Sequence, residues 1–215
     1  MYSSSRAKKI VKNDVAFLSA GIHDNVHLIG VRYETSIQDN SFIEFKFEKE
    51  GRIMTHTEWE PRKKTSFGEL TQDEFELKCD KQFSRVKQIL ECFYDEDKLQ
   101  FEGESFKEYA KWVVGLLSAD NIKDKALRVK VVYNDKGYTT LPKYAKYTFI
   151  EPMSTVDAGE SMITKLGIDL FEKPIVADVE KQNANPFQVV NSTLESVDAV
   201  SYTHLRAHET PEHIV

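Results

Sequence analysis

The sequence predicts a β-rich α+β domain in which five strands form a barrel and a helical segment is inserted between the third and fourth strands. Three observations carry this prediction. Phe42 to Lys49 alternates, with Ile43, Phe45 and Phe47 on one side and Glu44, Lys46 and Glu48 on the other, the period-two pattern of a half-buried strand. Residues 71–118 switch to helical spacing, opened by Thr71 and Glu74 in the order of a capping box. Leu127 to Tyr133 then returns to alternation ahead of an Asn134-Asp135-Lys136-Gly137 turn.

The elements follow in order. Residues 1–19 form a basic leader, with Arg6, Lys8, Lys9 and Lys12 against Asp14. Val26 to Tyr33 reads as the first strand, with Gly30 marking a bulge or a close backbone approach. Gln38-Asp39-Asn40-Ser41 turns into the strand Phe42 to Lys49, and Glu50-Gly51 turns into the strand Arg52 to Trp59, which Pro61 ends. His56 and Glu58 alternate along that strand and read as a solvated or cross-strand pair. Arg62-Lys63-Lys64-Thr65-Ser66 is a basic loop. Phe83, Val86, Leu90 and Phe93 form the stripe of one helix; Phe106, Tyr109, Ala110, Val113, Leu116 and Leu117 form that of a second, over about Ser105 to Leu117. In the fourth strand Leu127, Val129, Val131 and Tyr133 face inward and Arg128 and Lys130 outward. The return, Tyr138 to Leu141 and Tyr144 to Ile150, is interrupted by Pro142, which implies an edge or a bulge. A three-stranded meander, a helical segment and a hairpin are the layout of an OB-like barrel, here over residues 20–153 with its insertion at about 71–118. Residues 154–199 are an acidic, weakly structured segment, in which Leu170 to Val179 is a candidate docking stretch.

Composition narrows the function. Formal net charge is −6, so the chain as a whole is not a polycation. No apolar run reaches the roughly 18 residues of a membrane span, the N-terminus lacks a secretory signal's apolar centre, and Cys79 and Cys92 read as free thiols. A cytoplasmic protein is expected, in a host cytoplasm if the chain is viral. There is no Gly-rich phosphate loop, nucleophile elbow, Cys-x-x-Cys or His-Glu-x-x-His. His23 and His27 flank the first strand too far apart for a shared metal. No catalytic residue, metal or cofactor is expected.

Charge distribution is more informative than its sum. Residues 123–147 hold seven cations against two acids, a local net of +5, interleaved with Tyr133, Tyr138, Tyr144 and Tyr147. Cations neutralise phosphates and release counterions; flat rings stack unpaired bases whatever their identity. Arg62, Lys63 and Lys64 after Trp59 repeat the pairing. The candidate phosphate ligands are therefore Arg62, Lys63, Lys64, Arg128, Lys130, Lys136, Lys143 and Lys146, and the candidate stacking residues Trp59, Tyr138 and Tyr144. The competing reading is a protein–protein module without nucleic-acid binding, using an aromatic sheet face and the acidic segment.

Three segments carry a family resemblance: Ala20 to Val26, the hairpin Phe42 to Trp59 with its basic exit, and Leu127 through Pro152. Over about residues 20–153 the chain resembles the OB-type single-stranded-DNA-binding proteins of tailed bacteriophages, encoded beside replication and recombination genes. The resemblance implies coating of single-stranded DNA without sequence preference or cofactor, and an acidic C-terminal segment that recruits replication or recombination proteins. A second resemblance concerns the end of the chain. Val200 to Thr210 matches one reading frame of a transposase adapter used in sequencing libraries, Ala199 fits the codon before it, and Ile214-Val215 stands one base from the Leu-Val that would continue it. Residues 200–215 are therefore expected to be an artefact, removing His204, His208 and His213 from any site and placing the natural C-terminus beyond about residue 199.

Overall fold

A computed structural model describes residues 16–66, 68–119 and 122–174. All lie in the first of two units, Met1–Ala177, with Asp178–Val215 the second. Most of the basic leader, the acidic stretch from residue 175 and the adapter-like residues 200–215 lie outside the described residues.

β1 (Gly21–Thr35), β2 (Ser41–Lys49) and β3 (Arg52–Trp59) form an antiparallel meander. The turn Glu50-Gly51 has φ of 51° and 77°, both left-handed, as a two-residue hairpin turn matching strand twist requires. On β2 Ile43, Phe45 and Phe47 are fully buried, as the alternation predicts, and Met54 meets them from β3. β1 is long enough to serve two partners because it bends. Its pairing with β2 skips a residue between Leu28 and Gly30, at the glycine where a bulge is expected. An extra residue reverses side-chain parity, so the inward set passes from Val26 and Leu28 to Val31 and Tyr33.

Two helices stand between β3 and the next long strand. α1 (Gln72–Glu91) begins at Thr71, whose hydroxyl accepts from the Glu74 amide while Glu74 accepts from the Thr71 amide, the reciprocal box the sequence predicts. α2 (Phe106–Leu117) is capped by Ser105 and packs on β1 and β2. Trp112 stacks on Phe83 of α1 at 6.2 Å. A two-residue hairpin, β4 (Lys64–Thr65) with β5 (Gly68–Glu69), precedes α1.

β6 (Ala126–Tyr133) pairs with β1 along one edge. Its other edge holds β7 (Thr139–Thr140) and β8 (Ile150–Pro152). The order β3-β2-β1-β6-β7 curls until β7 faces β3, giving a nearly closed, barrel-like antiparallel sheet. The return is shorter than the expected Tyr138–Leu141 and Tyr144–Ile150. Pro142 has no amide to give a ladder, and between the two short strands Leu141, Pro142 and Phe149 turn inward and are buried.

Both expected boundaries of the barrel are too tight. Leu18, placed in the leader, is 1% exposed, and Ala16 and Leu18 exchange backbone hydrogen bonds with Ile53 of β3. After α3 (Met153–Asp157) the chain from 158 to 174 has no regular element. It nevertheless packs: Ile163 is buried, and the Tyr133 amide donates to the Leu170 carbonyl at 2.8 Å. Among the described residues no helix is long and apolar enough to cross a membrane.

Candidate nucleic-acid interface

The outward side chains of β3 are Thr55, Thr57 and Trp59. Trp59, half exposed at 48%, stands at the strand's end and packs across the ladder on Phe42, with ring centroids 4.8 Å apart. Gln82 of α1 donates to the Trp59 carbonyl at 2.8 Å and fixes the backbone there. Beside the indole opens a shallow cleft of about 170 Å³, lined by Asn40, Trp59, Glu60 and Arg62. Arg62, Lys63 and Lys64 follow, all exposed. Lys63 reaches Gln72 and lies 5.6 Å over the Phe75 ring, and Lys64 stands opposite Glu69. The neighbouring sheet surface offers phosphate less: Arg32 is engaged by Glu44 at 2.7 Å and by Glu34 at 3.3 Å.

A second exposed set surrounds the β6–β7 turn. Asn134 Oδ1 accepts from the amides of Lys136 and Tyr138, holding the turn so that Lys136 and Tyr138 (68% exposed) point to solvent. Lys143, Lys146 and Tyr147 are exposed as well, with Lys146 5.8 Å over the Tyr147 ring.

Three predicted site residues are engaged within the protein, Lys130 in the interior and Tyr144 and Arg128 at its partly exposed margin. Lys130 is fully buried, not outward. Its ammonium donates to Tyr144 Oη at 2.8 Å and to Asp169 at 2.9 Å, with both ion-pair side chains at 0% exposure. Tyr144 donates to Asp169 at 3.0 Å, and the Leu166 amide donates to the same carboxylate at 2.8 Å. Burial, and then Asp169, push the Tyr144 phenol pKa up; the ring completes an internal triad instead of stacking a base. Arg128 forms a two-pronged pair with Asp24 at 2.5 and 2.9 Å and donates to Ser161 at 3.1 Å. That bond holds the Asp24 carboxyl below its usual range. The alternation argument fails on β6 because both faces are covered, one by the core and the other by residues from the 158–174 segment.

The structure also shows a buried polar cluster at His56 and Glu58, which the sequence reading took as a solvated or cross-strand pair. His56 and Glu58 are 1% and 4% exposed. Glu58 receives Arg85 of α1 at 2.7 and 2.8 Å, Gln82 at 3.0 Å and His56 Nε2 at 3.2 Å. Burial pushes the Glu58 carboxyl up, but Arg85 and His56 outweigh it and hold it well below the usual carboxylate range. His56 Nδ1 meets the Thr140 hydroxyl at 2.8 Å. A hydroxyl, an imidazole and a carboxylate in this order resemble a nucleophilic triad, but the imidazole is sealed and Arg85 already engages the carboxylate. The cluster ties β3 to α1 and spans the seam to β7. One signal for it existed: His56 and Glu58 share parity with Met54. His23 and His27 each bond a backbone carbonyl, of Ser19 at 2.8 Å and of Lys123 at 3.1 Å.

The structure thus groups Trp59 with Arg62, Lys63 and Lys64, leaves Lys136, Tyr138, Lys143 and Lys146 exposed around the β6–β7 turn and the chain that follows it, and withdraws Arg128, Lys130 and Tyr144. Neither a scan of protein-family models nor searches of curated proteins and of solved structures return a match to this chain.

Proposed function

We propose that the protein binds single-stranded nucleic acid, and that its sheet is an OB-type barrel with α1 and α2 as the insertion between the third and fourth strands of that layout. The observation that carries the reading is Trp59: a half-exposed indole braced on Phe42, at a cleft, with three exposed cations beginning at the third residue after it. The ring offers a face for an unpaired base, and Arg62, Lys63 and Lys64 offer charge for the adjoining phosphates. Lys136, Tyr138, Lys143 and Lys146 extend the surface. A net charge of −6 does not oppose this, because exposed charges beyond about 10 Å are screened at 0.1 M salt. The setting follows the resemblance to tailed-bacteriophage proteins: coating of single-stranded DNA in replication or recombination, with partner proteins recruited through the acidic segment.

The test is fluorescence anisotropy of the full chain on a mixed-sequence single strand of about thirty nucleotides, longer than the roughly 4–16 one such barrel occupies. Duplex of equal length is the control, each at two salt concentrations. Binding that favours the single strand and weakens steeply with salt is expected. No binding at low salt sinks the proposal. A second reading, an interaction module in a phage structural or assembly protein, draws on the exposed Met162, Ile168 and Leu170 of the 158–174 segment. It predicts partner binding that salt does not weaken.

A further inference from the structure

We infer that the cleft beside Trp59 is a base-reading subsite that favours an amino-bearing base, cytosine first, over thymine, with Glu60 as the specificity-determining residue. The inference rests on the nucleic-acid-binding reading above and departs from binding without sequence preference.

The cleft is small. Its volume of about 170 Å³ lies below the roughly 300 Å³ at which sites for drug-sized ligands begin, so it suits one flat ring. Its walls divide the work. Trp59 supplies the stacking face, and Arg62, on the exposed side, supplies charge for the phosphate. Asn40 closes the cleft, and Glu60 decides which edge of a base is accepted. An ionised carboxylate only accepts hydrogen bonds. Glu60 is exposed and unpaired by any cation in the cleft, and its backbone is fixed by donation from its amide to the Ser41 carbonyl at 2.9 Å.

Asn40 serves as a rigid wall. Its Oδ1 is sealed from water and has no hydrogen-bond partner, a state that costs an acceptor its desolvation without return. Its backbone is held on both sides by Ser36, whose amide donates to the Asn40 carbonyl at 2.9 Å and whose hydroxyl accepts from the Asn40 amide at 3.2 Å. The Glu60 carboxylate and the Trp59 stacking face therefore call for a ring with an N–H group on its edge. Cytosine presents its exocyclic amine there, the group that Glu and Asp accept from in direct base readout. Thymine presents a carbonyl oxygen at the same position, which a carboxylate repels.

The test compares two pyrimidines that differ at that group. Labelled oligodeoxycytidine and oligodeoxythymidine of equal length are titrated with the full chain at one salt concentration, then with Glu60→Gln and Glu60→Ala. The wild type is expected to bind cytidine about fivefold more tightly, the low end for a base contact because the cleft is open to water. Glu60→Gln can turn an N–H toward the thymine oxygen and should bring the ratio to about one, chiefly by strengthening thymidine binding. Glu60→Ala should also erase the preference. Equal binding of the two strands by the wild type, or a preference that survives Glu60→Gln, overturns the subsite and leaves single-strand binding standing. No binding to either strand overturns both.

Discussion

Two regions of this molecule hold the same kinds of residue and have opposite fates. After β3, Trp59 and the cations Arg62, Lys63 and Lys64 remain in solvent. On and after β6, Lys130 is drawn inside, and the partly exposed Arg128 and Tyr144 are claimed by Asp24 and Asp169. The strands do not explain the difference, since both alternate. What differs is what later arrives to cover them. Asp169, from a segment without regular secondary structure, reaches Lys130 and Tyr144; Ser161 joins Arg128 and Asp24. A cation on a strand is a phosphate ligand only where no anion from elsewhere in the chain has claimed it.

The comparison breaks most visibly at Asp169. Asp169→Ala leaves the Lys130 ammonium buried without its counter-charge, and such a loss costs about 3–5 kcal/mol. Lys64→Ala, in the exposed region, should stay within about 0.5 kcal/mol of wild type. Chemical denaturation of the two variants measures the contrast. Replacing the pair together, Lys130→Met with Asp169→Leu, should recover part of the loss, because an apolar pair carries no charge to desolvate while the Leu166 amide and the Tyr144 hydroxyl still lose their acceptor. If Asp169→Ala unfolds like the wild type, Lys130 is not sealed and returns to the list of phosphate ligands.

Glu58 extends the same logic to the seam between β3 and β7, through pH. Its carboxyl is held below the ordinary glutamate value of 4.5 in the folded state. On acidification the unfolded chain takes up this proton before the folded one does, so stability falls as pH falls. The contribution is complete above the ordinary value and is lost as pH drops through the folded one. Other depressed carboxyls, Asp24 among them, share this trend, so the readout is the difference between proteins. Glu58→Gln should lower the melting temperature at neutral pH and flatten its decline below about pH 5. An acid slope equal to that of the wild type would show that Glu58 titrates normally.

How much of this was legible depends on whether local pattern or distant chain decides the outcome. The β2–β3 hairpin, both helix starts and the break at Gly30 follow from neighbours in sequence: alternation over Phe42–Lys49, the Thr71–Glu74 box, a Gly inside a strand. The burial of Leu18 and Lys130 does not, because it is made by Ile53 and Asp169, far along the chain. His56 and Glu58 lie between. Their parity placed them inside with Met54, but a carboxylate is read as solvated unless its partner is known, and Arg85 lies on a helix whose packing direction the sequence leaves open. For the site, composition alone named Trp59 and the basic loop; the bracing of Trp59 by Phe42 and the contacts of Lys63 with Gln72 and Phe75 are made by residues that the local pattern does not pair with them.

Binding sharpens the comparison with smaller effects. Trp59→Ala should weaken single-strand affinity by about 1–3 kcal/mol, the range for one stacked base. Its effect on stability should be slight, since the ring is already half in water. Tyr138→Ala should fall at the low end, because that ring has no cross-strand aromatic to brace it. Tyr144→Phe should do the reverse: it removes hydrogen bonds inside the Lys130–Asp169 triad and costs about 1 kcal/mol of stability, with single-strand affinity unchanged. Parallel unfolding curves and anisotropy titrations separate the two classes of tyrosine.

The smallest effect is the one that counts phosphates. Each cation that neutralises a phosphate on a single strand contributes about 0.7 to the slope of log affinity against log salt. Changing Arg62, Lys63 and Lys64 together to Ala should lower that slope by up to about 2, less if Lys63 stays with Gln72 and Phe75 in the complex. The Lys130→Met, Asp169→Leu double variant should leave the slope where it is, since a cation paired with Asp169 has no counterion to release. Two sets of lysine and arginine that look alike in sequence would then be told apart by an ion count alone. A slope that falls equally in both variants would mean that the segment carrying Asp169 yields to nucleic acid and that the two regions form one surface.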